Sequence, residues 1–213
     1  MSMLLRLALA LAFSLLGALP AQAAVTITFW SHELGNSFPH AFLSLRGTVD
    51  ATGAPVDANY GFTAKSISPA LLMGTVKGRL DISKPFYIAT SDAQFSYVMT
   101  DAQYGDILAL VAAWDEKTGD GRYNLNQRNC VHFVQEAARR LGLVGLEHPE
   151  LMKKPRSYLK TVAQANAGRV TVIGQSGKAY LASLPPLPTA PSSITPVAQV
   201  PAGTSSTMSS TDS

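Results

Sequence analysis

The order of the predicted strands and helices is the feature that most restricts the fold of this chain. Segments with the apolar pattern of β-strands come first, at 25–30, 40–47, 58–65, 74–82, 85–89 and 94–99. Helical patterns follow these segments instead of alternating with them. Such segregation is typical of an α+β domain built on an antiparallel sheet.

Three helices are predicted after the strands. A capping box at Thr100 and Gln103 begins the first helix, which continues through ILALVAAW. The second helix covers 129–141, and the third covers 156–167 after a proline. The sheet is expected to pack against the second of these helices.

The two ends of the chain are expected to lie outside this domain. MSMLLR and the apolar run LALALAFSLLGAL, followed by small residues at 21–23, have the form of a secretory signal peptide over 1–23. Cleavage would leave Ala24 as the first residue, and a retained anchor is the alternative. The segment 184–213 is rich in Pro, Ser and Thr and has few large apolar residues, which predicts a disordered tail. One domain remains, over 24–183.

Charge and hydropathy narrow the choice of partners. The formal net charge is +3, and removal of 1–23 takes away Arg6 and no acid, which leaves +2. The remaining basic residues are scattered, so a nucleic-acid partner is not expected. No later segment reaches the roughly 18 apolar residues of a membrane helix, so no integral membrane span is expected after cleavage. These features predict an exported protein, periplasmic or extracellular.

The chain contains a single cysteine, Cys130. In an exported chain one thiol forms no internal disulfide, so it is free and reactive, bridges to a second chain, or is buried as a small hydrophobic group. Helical periodicity puts Cys130 on the apolar side of its helix with Phe133 and Val134. It also lies in the first helical turn, where unpaired N–H groups and the helix dipole predict a lowered thiol pKa. This placement favours a nucleophile.

Four histidines are candidates for the base that a thiol nucleophile needs. His132 follows two residues after the cysteine and points to the polar side of the helix. His32 and His148 are placed in polar loops, where exposure is expected. His40 begins a predicted strand, and a strand end can hold an imidazole within hydrogen-bonding reach of a thiol. His40 is therefore the predicted general base, and a core histidine is the alternative.

The segment RNCVHFV, 128–134, resembles the Asn-Cys-x-His-Phe motif of the lecithin retinol acyltransferase-like proteins. These proteins belong to the circularly permuted branch of the papain-like peptidase superfamily, which also contains bacterial cell-wall peptidases. In that branch a histidine on a strand precedes the cysteine on a helix, as His40 precedes Cys130 here. The resemblance covers about 40–141. It implies a permuted papain-like α+β fold with Cys130 as nucleophile and His40 as general base.

The resemblance also implies a polar residue that orients the imidazole, on the strand after the histidine strand. That strand is ANYGFTAK here and contains no histidine. Asn59 is the predicted residue, because an amide oxygen can accept a hydrogen bond from the second imidazole nitrogen. The backbone N–H of Cys130 is expected to stabilise an oxyanion, together with a side-chain donor from Asn124 or Gln127.

Metal sites and cofactors are not predicted. Aligning Gly121 with the fixed glycine of an EF-hand loop puts Gln127 where a bidentate glutamate belongs, so calcium is not supported. One cysteine and no paired histidines give no zinc spacing.

The expected function is that of an exported cysteine hydrolase or acyltransferase acting on an amide or ester through a thioacyl intermediate. Cell-wall peptides and the acyl groups of lipids are both open as substrates, and the apolar residues Leu71, Leu72 and Met73 favour a lipid. The alternative is a non-catalytic envelope module, for binding or structure, with a degenerate papain-like site. The missing histidine on the third strand motivates that alternative.

Overall fold

The computed structural model describes residues 24–33 and 38–187 of the 213-residue chain. The predicted signal peptide, and the predicted tail beyond residue 187, lie outside the described residues. The strands found in the described part are β1 (Val25–His32), β2 (His40–Thr48), β3 (Pro55–Ala64), β4 (Thr75–Asp81), β5 (Asp92–Met99), β6 (Arg122–Asn124) and β7 (Thr171–Ser176). The helices are α1 (Ala70–Met73), α2 (Pro85–Ala89), α3 (Asp101–Trp114), α4 (Cys130–Arg140), α5 (Pro155–Ala165) and α6 (Gly177–Ser183), with a 3₁₀ turn at Pro149–Leu151.

The strands form one antiparallel sheet in the order β6-β4-β3-β2-β1-β5-β7. β1 lies between β2 and β5 and pairs with β2 along its whole length, from Val25 opposite Gly47 to His32 opposite His40. The α+β class and the antiparallel sheet predicted from the segregated pattern are therefore confirmed.

Different helices cover the two faces of this sheet. α4 and α5 contact β1 and β2, and their apolar side chains join the main core with Phe29, Leu43 and Phe95. The opposite face carries a smaller cluster around Trp30 and Phe42, covered by side chains of α2 and α6. The apolar contacts of α4 with the sheet hold the start of this helix next to β2.

The three long helices agree with the sequence patterns that predicted them. α3 begins at the expected capping box, in which Thr100 and Gln103 bond each other's backbone N–H. α4 begins after Asn129, and α5 starts with Pro155 at its first position. Among the described helices, none has the length and apolar character needed to cross a membrane.

Several segments differ from the prediction, including the helix α1 and the strand β6, which were not predicted. The segment 85–89 is the short helix α2, and the prediction of a strand there is wrong. Pro85 presets a helical φ, and five apolar residues are too few for periodicity to separate a strand from a helix. The edge strand β7 and the helix α6 were not predicted. Most residues of β7 are exposed, so the apolar alternation that marks a half-buried strand is missing.

Candidate functional site

The ladder between β2 and β3 ends before β2 does. The last pair of this ladder is Phe42 with Gly61, so His40 and Ala41 extend beyond it. From the same glycine onward β3 pairs instead with β4, beginning at Asp81. The sheet therefore opens between β2 and β3, and α4 begins at this opening.

The opening explains how a helix on one face can share a cavity with a histidine on the other. Cys130 belongs to the main core together with Ala41. By strand alternation His40 shares the opposite face with Phe42, and the two rings stack with their centroids 6.2 Å apart. Even so, Cys130 and His40 line one cavity of about 390 Å³. A continuous ladder would have separated them.

Cys130 is held by the hydrogen bonds that begin α4. The side-chain oxygen of Asn129 accepts from the N–H of Val131 at 2.8 Å and from that of His132 at 3.2 Å. The amide nitrogen of Asn129 donates to the carbonyls of Leu125 and Met152, at 2.8 Å each. The cap is thus tied to two other segments. Cys130 is a free thiol with 7% of its surface exposed, which disfavours a bridge to a second chain.

The electrostatic surroundings of the sulfur differ from those expected at a helix tip. Burial raises the pKa of the Cys130 thiol to about 11. The backbone N–H groups of Ala41, Val131 and Cys130 point at the sulfur and offset this only in part. The prediction of a lowered thiol pKa is wrong, because the loss of water outweighs the helix N-terminus. The resting group is a neutral thiol.

His40 lies against the backbone of β3. A Cβ at Gly61 would lie 2.6 Å from its Nε2 atom, so only glycine leaves room for this ring. That nitrogen is buried and has no hydrogen-bond partner in the described part of the chain. Burial lowers the pKa of His40 to about 4, although nearby Asp81 acts in the opposite direction. The imidazole is therefore neutral at neutral pH and able to accept a proton.

Asp81 and Tyr87 complete the polar lining of the cavity, and neither was predicted from the sequence. Asp81 pairs with Gly61 in the register, so its side chain leaves the sheet on the face of His40. The Tyr87 ring lies edge-on to that of His40, at 6.5 Å between centroids. Burial and the nearby Cys130 and Asp81 raise the pKa of Tyr87, which keeps its hydroxyl protonated. A protonated phenol is a hydrogen-bond donor.

The other three predicted site residues lie elsewhere. Asn59 is on β3 as expected, but its amide exchanges two hydrogen bonds with the backbone of Ser83, accepting at 2.6 Å and donating at 3.2 Å. The Asn124 oxygen accepts from the N–H of Gln127, and its amide nitrogen donates to Thr75. None of the three lines the cavity of Cys130. Their assignment as orienting or oxyanion residues is therefore withdrawn.

The remaining histidines are also accounted for. His32 is the last residue of β1, not a loop residue as predicted, and its ring stacks on that of Tyr87 at 4.2 Å. His132 lies at the third position of α4, where its Nδ1 is 3.0 Å from the Asn129 side-chain oxygen. His148 lies in the connection before the 3₁₀ turn, as expected.

The described residues contain no group of three or more His, Cys, Asp or Glu side chains arranged to hold a metal ion. The cavity offers one thiol, one neutral imidazole, one carboxylate and two phenols, those of Tyr87 and Tyr123. These groups are sufficient for proton transfer and for attack on a carbonyl carbon.

Comparison with protein-family models, with curated proteins and with solved structures gives no match for this chain.

Proposed function

We propose that this protein is an exported cysteine hydrolase or acyltransferase with a permuted papain-like site, in which Cys130 is the nucleophile and His40 the general base. The observation that carries the proposal is the shared cavity at the open end of the β2–β3 ladder, which both side chains line. The RNCVHFV motif, which places the thiol at the start of α4, supports it further.

The first half of the reaction needs a proton acceptor, because the resting thiol is neutral. As a carbonyl substrate binds, His40 takes the proton of the Cys130 thiol and the sulfur bonds to the carbonyl carbon. The N–H of Cys130 and the Tyr87 hydroxyl donate to the oxygen that becomes negative. The imidazolium then gives its proton to the leaving alcohol or amine as the carbon–heteroatom bond breaks, which leaves a thioester.

The second half restores the site. Water or an acceptor hydroxyl or amine loses a proton to His40 and attacks the thioester carbon. The carbon–sulfur bond breaks and the sulfur recovers its proton from the imidazolium. Asp81 stabilises the imidazolium through its charge in both halves, in the role of a positioning residue. The Nε2 atom is buried against Gly61, so Nδ1 is the nitrogen assigned to proton transfer.

The lining of the cavity favours an acyl group over a peptide. Its walls include Phe38, Ile67, Leu71, Leu72 and Met152. An apolar wall of this kind suits a hydrocarbon chain. Three charged residues line the cavity, Arg79, Asp81 and Lys153, and of these Asp81 acts on the imidazole of His40.

Chromogenic esters of increasing acyl length test the proposal. The protein should release p-nitrophenol from them, and Cys130→Ser should lower kcat/KM by at least about 1000-fold. His40→Gln should cost about 100-fold or more. His132→Gln is the matched control, because glutamine at this position preserves the capping box, and its activity should stay within about threefold of wild type. Equal losses in the two histidine variants would remove His40 from the mechanism.

The second candidate is a binding or structural module of the cell envelope that keeps the fold without the chemistry. The raised pKa of the Cys130 thiol favours it, because an unactivated thiol is what such a module would retain. Deletion of the gene, followed by complementation with Cys130→Ser, separates the two candidates. Full complementation would support the module, and failure by a stably folded variant would support the enzyme.

A further inference from the structure

The most exposed large apolar side chains of the described chain line the cavity or are next in sequence to residues that line it. Leu72 and Met73 of α1 are 76% and 87% exposed, and Phe86 of α2 is 80% exposed. Ile67 and Phe38 are also largely exposed, and both line the cavity. Leu71 points inward, so α1 is anchored by one leucine and presents the next two residues to solvent. Such a concentration is unusual for a protein surface that stays in water.

The exposed residues come from three separate segments that the cavity brings together. Phe38 precedes β2, and 67–73 lies between β3 and β4. Ile82 follows β4 and Phe86 belongs to α2, between the lining residues Asp81 and Tyr87. Leu72 lines the cavity, and Phe86 is adjacent to the lining residue Tyr87. We define the apolar rim as Phe38, Ile67, Leu72, Met73, Ile82 and Phe86.

Basic residues predominate around the apolar rim, where the carboxylate of Asp81 is the exception among the residues that line the cavity. The segments 62–80, 82–91 and 151–160 contain no Asp or Glu. Exposed Lys84 lies between two rim residues, Lys153 lines the cavity, and Lys154 follows it. None of these three lysines forms an ion pair with another described residue, whereas Arg79, also at the mouth, pairs with Asp81. The apolar rim is thus bordered by three lysines that form no ion pair within the described chain, although Glu147 and Glu150 share a surface pocket with Lys153 and Lys154.

We propose that the apolar rim docks onto an anionic phospholipid bilayer, with its apolar side chains at the level of the acyl–headgroup boundary and the lysines against the headgroups. Exposed apolar tips flanked by lysines are the combination that binds peripheral proteins to acidic membranes. A second copy of this chain fits less well, because two such surfaces placed face to face would oppose lysine with lysine. Docking turns the mouth of the cavity toward the lipid. The inference does not depend on chemistry at Cys130.

Vesicle binding tests this surface. The probe is a set of vesicles of about one part phosphatidylglycerol to two parts phosphatidylcholine, compared with pure phosphatidylcholine. The wild type and all variants are compared with the same N-terminal residue, which intact-mass spectrometry verifies for each preparation. The wild type should sediment with the anionic vesicles, about tenfold more weakly with the neutral ones, and progressively less as salt is raised.

Two pairs of variants separate the contributions. Leu72→Ser with Met73→Ser should weaken binding to anionic vesicles by about tenfold. Its matched control is Val98→Ser with Val172→Ser, which removes two apolar side chains of 62% exposure away from the rim and should change binding by less than twofold. Lys153→Gln with Lys154→Gln should reduce both binding and its salt dependence.

Sedimentation velocity and the Cys130→Ser variant complete the test. The wild type should be a monomer without vesicles, and Cys130→Ser should bind vesicles as the wild type does. Wild-type binding by the Leu72→Ser, Met73→Ser variant, or equal binding to neutral vesicles, would overturn the proposal. A dimer that this variant dissociates would overturn it in favour of an interface between copies.

Discussion

Two of the cavities that border the sheet differ in how their polar groups are satisfied. The second, of about 280 Å³, lies on the Trp30 face beside α6 and is lined by Asn59. There the Trp30 indole N–H donates to Ser44 at 2.8 Å, and Asn59 is paired with the backbone of Ser83. Both side chains have their partners within the fold.

The first cavity holds a buried polar group without a partner and a desolvated thiol. His40 keeps a buried ring nitrogen with no hydrogen bond in the described chain, and the Cys130 thiol is removed from water. An unsatisfied buried polar group costs stability, so its presence needs a reason. Titratable groups shifted by burial beside a cavity are typical of functional sites. The difference between the cavities supports the proposal of a reactive site at the first and a framework role for the second.

The reactivity of Cys130 with pH is the largest effect expected. Because burial raises the pKa of this thiol to about 11, iodoacetamide should react slowly at neutral pH and about tenfold faster with each pH unit up to about 10. The alkylated mass gives the rate, and the protein unfolded in urea provides a thiol of ordinary pKa. A plateau from mildly acidic to neutral pH would instead reveal a preformed thiolate–imidazolium pair.

A methyl group at Gly61 should disturb the first cavity and leave the second intact. The Cβ of Gly61→Ala would collide with the His40 imidazole, so ester hydrolysis should fall about 100-fold. Gly105→Ala on α3 is the matched control, because no heavy atom lies within 4 Å of its added methyl group. Circular dichroism would check that both variants fold. Wild-type activity in folded Gly61→Ala would contradict the assigned position of His40.

Loss of the Asp81 charge should have a smaller effect on the same cavity. Asp81 raises the pKa of His40 against the effect of burial, so Asp81→Asn should lower that pKa further and weaken the base. We expect kcat to fall about tenfold and the acidic limb of the rate profile to move to lower pH. Asp57→Asn, which removes an exposed carboxylate paired with Arg46, should leave both unchanged. An unmoved acidic limb in Asp81→Asn would remove its electrostatic role.

A substitution in the second cavity should change the stability of the protein and not its activity. Asn59→Ala leaves the Ser83 backbone without its partner and should cost about 1–2 kcal/mol of unfolding free energy in urea. Its ester hydrolysis should stay within about twofold of wild type. A tenfold loss of activity at unchanged stability would restore Asn59 as the residue that orients His40.

Much of the frame of the site could be predicted from the sequence. Local rules place α4 after Asn129 and turn Cys130 toward the core, because capping and apolar periodicity act within a few residues. The strand that begins at His40 was predicted from its alternating pattern. That both line one cavity agrees with the pairing inferred from the motif.

The rest depends on contacts between distant segments. Asp81 lies near His40 because β3 pairs with β4 in the register that sets Gly61 opposite Asp81. No local sequence pattern predicts that register. Strand order and the accepting amide oxygen predict that Asn59 orients the imidazole, but its amide is paired with the backbone of Ser83. The predicted direction of the thiol pKa shift was wrong. A helix N-terminus can be recognised in the sequence, whereas the extent of burial, which raises the pKa, cannot.

The central claim is that Cys130 and His40 act as a pair on a carbonyl carbon. Intact-mass spectrometry after brief exposure to p-nitrophenyl acetate at neutral pH tests it most directly. The account predicts one acetyl group on Cys130, removed by hydroxylamine, forming at least about 100-fold more slowly in His40→Gln. No adduct on Cys130, or the same rate of formation in His40→Gln, would contradict the account.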